Sequence, residues 1–195
     1  MPNKSMSSLL MAALLCVGSA QAAPIVYNAA LSGAAENPPT GSTGTGFTTV
    51  IYDPEAHTLQ VAMDFSDLVS PSTVAHIHCC VAPPGNVGVA TPLPTFPGFP
   101  AGVTAGSYLQ LFDLTLAGSF NPDFVTSNGG TVAGAEAALA AGLDAGEAYL
   151  NIHSEQFGGG EIRGFLNAVP EPGVLALLGL GLVGLALQRR ARRAP

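Results

Sequence analysis

Two histidines one residue apart, in Ala75-His76-Ile77-His78, are the side chains of this sequence best suited to chemistry, with His153 as a distant third. On a β-strand, residues two apart share a face, with side chains about 6.6 Å apart. His76 and His78 therefore present both rings to one side, and His153, near the end of another strand, can add a third nitrogen. Three neutral imidazoles around an open position suit zinc or copper. Metal–nitrogen bonds of about 2.0–2.1 Å then require ring nitrogens within about 4 Å of one another. The competing use of the same rings is structural, each bonding a backbone carbonyl. His57, beside a turn, reads as exposed.

Cys79 and Cys80 follow the histidines directly, and the third cysteine, Cys16, lies far off near the N-terminus. Strand parity places Cys80 on the histidine face and Cys79 on the opposite one. The pair admits a vicinal disulfide in an oxidising compartment, two free thiols, or one thiol ligating a metal. Arg163 is the only basic residue between positions 23 and 168, where twelve of the chain's 13 acids also fall. Alone among carboxylates it is expected in a structural ion pair, with Glu36, Glu155 or Glu161 as partner. No Gly-x-Ser-x-Gly elbow, phosphate loop or Asp-x-Asp-x-Asp-Gly calcium loop occurs, so no catalytic residue is assigned.

The elements that must position these residues read as short strands broken by turns. Strands are expected at 25–31, 46–52, 57–65, 74–80, 109–116, 149–153 and 161–166. In the third, Leu59, Val61, Met63 and Phe65 alternate with more polar neighbours, the period of a strand with one buried face. Residues 83–103, rich in Pro and Gly, read as a long loop. One helix is expected over 132–141, capped by Thr131 and stopped at Gly142, with a short helical turn opening at Asn121-Pro122-Asp123. Many short strands between Gly/Pro turns indicate an all-β fold, a Greek-key-like antiparallel sandwich with one or two helical insertions.

The 195 residues include 24 Gly and 16 Pro and only 10% charged residues, which excludes a helical bundle or a solvated acidic tail. The acidic middle excludes nucleic acid as a partner, since phosphate neutralisation needs Lys and Arg. Much of the apolar excess lies at the two ends. Residues 1–22 read as a secretory signal: Lys4, an apolar run from Leu9 to Val17, and Ala20-Gln21-Ala22 with cleavage after Ala22. At the other end, Pro170-Glu171-Pro172 precedes the uncharged stretch Val174 to Leu187 and then Arg189-Arg190-Ala191-Arg192-Arg193. This ordered trio over 169–195 resembles the PEP-CTERM protein-sorting tail. The resemblance implies a short transmembrane helix and an exosortase-type enzyme as transient partner. It further implies an exported precursor tethered to the inner membrane, then released to the cell envelope or beyond.

Four further segments resemble the CHRD (chordin) domain over 23–168. They are Leu31-Ser32-Gly33-Ala34-Ala35-Glu36-Asn37-Pro38-Pro39 with the small run Thr43-Gly44-Thr45-Gly46, then Ala75-His76-Ile77-His78. Ala148-Tyr149-Leu150-Asn151-Ile152-His153-Ser154 and Gly160-Glu161-Ile162-Arg163-Gly164 complete the set. Cys79-Cys80 departs from the pattern, where the family often places a Gly. The leading reading is a non-enzymatic extracellular or matrix-associated module, with an exopolysaccharide or other envelope component as candidate partner. The alternative reading is a copper- or zinc-binding protein built on the His-x-His strand, with a superoxide dismutase-like activity as its extreme form.

Overall fold

The computed structural model describes residues 22–170 and 174–191. Eight strands form its body: β1 (Ile25–Ser32), β2 (Thr45–Asp53), β3 (Thr58–Ser66), β4 (Ser72–His78), β5 (Gly106–Asp113), β6 (Tyr149–Ser154), β7 (Ile162–Phe165) and β8 (Asn167–Ala168). Their order is β4-β6-β7-β1-β2-β3-β5, with β8 also on β1, and every pairing is antiparallel. The all-β reading holds, and a single curled sheet supplies the packed faces.

Alternation builds the core. Tyr27, Ala29 and Leu31 of β1, Leu59, Val61, Met63 and Phe65 of β3, and Leu150 and Ile152 of β6 all point inward and are buried. Between β2 and β3 the Asp53 carboxylate accepts from the Glu55 and Ala56 amides at 3.0 and 2.9 Å, which turns the chain; His57 completes the turn at φ 52°. His57 is not simply exposed, because its Nδ1 lies 2.9 Å from a Glu136 carboxylate oxygen.

Two helices, α1 (Pro122–Ser127) and α2 (Val132–Asp144), interrupt the strands between β5 and β6. Asn121 and Thr131 cap them by accepting from the Asp123 and Gly134 amides. The helix expected to stop at Gly142 runs two residues further. Gly142 is required there for packing rather than for termination: a Cβ at that position would meet both sulfurs of Cys79 and Cys80.

The long Pro/Gly loop does structural work that its composition hides. It runs along the free edge of β4, where the Ala90 and Phe96 amides donate to the Ile77 and Ala75 carbonyls at 2.9 and 3.1 Å. In return Thr95 and Thr91 hydroxyls accept from the Ala75 and Ile77 amides, each at 2.9 Å. Phe96, fully buried, stacks on Tyr108 of β5 at 5.6 Å, so the loop joins one end of the sheet to the other. A strand edge left bare would recruit foreign strands; here side chains and loop amides occupy it.

A third helix, α3 (Val174–Ala191), forms in the tail. The short transmembrane helix expected there is corrected in one respect: no helix among the described residues is long and apolar enough to cross a membrane. The uncharged stretch Val174 to Leu187 spans only about 21 Å at 1.5 Å per residue, against about 30 Å of hydrocarbon. Residues 1–21 of the expected signal segment, and Glu171 and Pro172 of the sorting motif, lie outside the described residues.

Candidate metal centre

The cross-strand register sets up the site. His76 pairs with Asn151 and His78 with Tyr149, and on the next strand Asn151 pairs with Arg163 and Tyr149 with Phe165. These residues share the face of β4, β6 and β7 opposite the apolar core. Such a face is usually solvated. Here it is covered by loops, and all six residues of β6 are buried. The sheet thus has a second interior, polar and aromatic.

The three histidines converge in that layer. His76, His78 and His153 are 4%, 8% and 9% exposed, and one ring nitrogen from each lies within 4.8 Å of the other two. The expected limit of about 4 Å falls inside this bound, and at most about 0.7 Å of movement per ring brings the nitrogens to ligand spacing. One nitrogen of each ring is anchored: His76 Nε2 on the Pro94 carbonyl at 2.6 Å, His78 Nδ1 on Val87 at 2.8 Å, His153 Nδ1 on Gly158 at 3.0 Å. A carbonyl can only accept, so each anchored nitrogen carries the proton. The structural use of the rings and the metal use therefore coexist, since each bond leaves the other nitrogen an unprotonated acceptor. Those three atoms, His76 Nδ1, His78 Nε2 and His153 Nε2, are buried with no hydrogen-bond partner. A buried polar atom without a partner costs free energy, and a metal ion would satisfy all three at once.

Burial holds the rings neutral. It pushes the His78 pKa down to about 4, against the raising effect of the Val87 bond; His76 and His153 are lowered by the same cause. Neutral imidazole is the ligating form.

Arg163 lies beside this cluster, 1% exposed. Carbonyls hold it more than carboxylates do. Nε donates to Ala35 at 2.6 Å, one terminal nitrogen to Asn86 Oδ1 at 2.6 Å and the Gly85 carbonyl at 3.3 Å, and the other to Pro84 at 2.8 Å. Of the three acids considered for its ion pair, Glu36 is the one nearby, with an oxygen 3.7 Å from Nε. Glu155 is exposed. Glu161 is fully buried but engaged elsewhere, accepting from the Ser42 hydroxyl and the Val69 amide, each at 2.6 Å, and from Ser154. Burial raises the Glu36 pKa to about 7, with Arg163 pulling the other way.

Tyr149 connects the two parts. Its ring stacks on His78 at 4.8 Å and receives the Arg163 guanidinium at 4.7 Å. Neither Tyr149 nor Asn151 stood out as a site residue in the sequence, although both sit at the spacing of two that runs to His153.

Cys79 and Cys80 are bonded to each other. The strand ends at His78, so parity no longer orients Cys80 toward the rings. Its sulfur contacts the Ala138 carbonyl of α2 at 3.5 Å instead. The thiol-ligand reading is corrected for this reason: both sulfurs face α2. A cavity of about 430 Å³ beside the pair is lined by Asn121, Asp123 and Phe124 among others, and by none of the histidines.

A buried three-histidine cluster on a curled antiparallel sheet, ahead of a sorting tail, defines an exported β-domain. The chain belongs to the CHRD domain family, whose model matches residues 27–166, and the PEP-CTERM protein-sorting motif matches residues 168–193. No curated protein and no solved structure matches it. The sorting motif directs the chain to exosortase-type machinery and toward the cell envelope or extracellular space.

Proposed function

We propose that this is a non-enzymatic, envelope-associated CHRD domain that holds one copper or zinc ion on His76, His78 and His153. One observation carries the reading: three buried rings come within ligand-cluster distance of one another, and each holds one nitrogen on a carbonyl and leaves the other without a partner. Burial favours holding over turnover: the three rings are at most 9% exposed, and the cavity beside Cys79 and Cys80 is lined by none of them. The route outward supplies the partners: an exosortase-type enzyme, the inner membrane while the tail is attached, then an envelope polysaccharide or protein.

The test is metal analysis of protein purified from its native host, repeated with His76→Ala and His78→Ala. About one equivalent of copper or zinc in the parent, lost in a variant whose circular dichroism is unchanged, is expected. Metal-free protein from a metal-replete host would overturn the reading.

A further inference from the structure

We propose that the three-histidine site selects a univalent ion, Cu(I), over divalent zinc and Cu(II). This rests on the metal-holding reading above and adds the charge and coordination number that the site accepts.

The donor set is neutral. The residues grouped about the site are His76, His78 and His153, with no Asp, Glu or Cys among them. Any ion brings its whole charge into a layer where the ligands are at most 9% exposed. The cost of burying an ion grows as the square of its charge, so a dication faces roughly four times the penalty of a monocation. Carboxylate or thiolate ligands, which would offset that penalty for a dication, are absent from the group.

The surroundings add positive charge. The Arg163 guanidinium lies against one ring that itself stacks on His78. Glu36 has an oxygen 3.7 Å from that guanidinium and is engaged with it. Between His76 and Arg163 the register places Asn151, an amide where a carboxylate would have balanced a second charge. Its Oδ1 is buried without a partner.

Coordination number points the same way. Zinc in proteins is almost always four-coordinate and would need a water as its fourth ligand here. Filled-shell Cu(I) accepts three nitrogens in a plane and needs no fourth.

Competition titration of the exported protein tests this, with Cu(I) supplied anaerobically as its bathocuproine complex and zinc against a zinc chelator. No thiol is added, so the Cys79–Cys80 bond persists. Cu(I) is expected to bind at least 100-fold more tightly than zinc. His153→Ala, which retains both cysteines, should lose Cu(I) binding by at least 100-fold. Asn151→Asp, nearly isosteric, should shift the preference toward zinc by at least tenfold. Zinc binding as tight as Cu(I), or a preference unmoved in Asn151→Asp, would overturn the selectivity while leaving the metal site standing. Absence of binding by both ions would overturn the site itself.

Discussion

Arg163 and Glu36 illustrate how a buried charge is kept. The guanidinium is distributed over the carbonyls of Ala35, Pro84 and Gly85 and the Asn86 side chain, which come from two loops. Arg163→Ala should cost about 3–5 kcal/mol in urea denaturation, because both loops lose their common donor. Arg163→Lys should recover little, since one ammonium cannot reach that spread of acceptors. An unchanged midpoint in either variant would contradict this. The acid–base groups of the layer act in opposition. The three histidines have folded pKa values below 6.5, so the unfolded chain binds more protons, and stability of the metal-free protein rises with pH from about 4 to 6.5. Glu36, raised from 4.5 to about 7, does the reverse: the folded state holds its proton, and its contribution falls as pH rises through that window. Three groups oppose one, so melting temperature should climb from pH 4.5 to 6.5, and Glu36→Gln should steepen the climb. A flat profile in Glu36→Gln, with a falling one in the parent, would mean that the rings titrate as if solvated.

At the scale of elements, α2 is held by a contact that tolerates no side chain. Gly142 lies against the Cys79–Cys80 bond, and a methyl there overlaps both sulfurs. Gly142→Ala should therefore destabilise the domain by about 1–3 kcal/mol, the usual cost of overpacking, despite alanine's better helix propensity. A thermal melt at or above that of the parent would show that α2 can retreat. Much of this level was legible in the sequence. The alternation of Leu59 to Phe65 gave β3, and Thr131 gave the start of α2, because local patterns encode local structure. The Pro/Gly loop was not legible as an edge cover, since Thr91, Thr95 and Phe96 act there through partners on β4 and β5. Nor could strand parity orient Cys80, which lies two residues past His78, where the strand ends.

For the whole molecule, the sorting motif and the domain together set a processing expectation. The mature protein should begin near Ala23 and end close to Pro170, as read by intact mass on material from the host envelope. A full-length species retaining Arg193 would leave the tail as a simple anchor. The His-x-His pair was visible in the sequence as two rings on one face. The convergence of His153 on them was not, because it depends on β6 lying beside β4 rather than across the sheet. The burial of that face was hidden as well: it is made by loops whose carbonyls, Val87, Pro94 and Gly158, carry no signature in side-chain type.

The pairing of β4 with β6 also fixes where the ion would be acquired. Two ligands lie on a strand near the middle of the chain and the third on one near the end of the domain, so no local segment holds the complete set. An extended chain threading through a membrane has no such site, because metal affinity appears only with the folded ligand geometry. If the chain crosses the membrane unfolded, as its expected secretory signal implies, loading follows translocation and the arrival of β6. The supply that matters is then the free metal of the envelope and not the buffered pool of the cytoplasm, and the compartment becomes part of the protein's specificity.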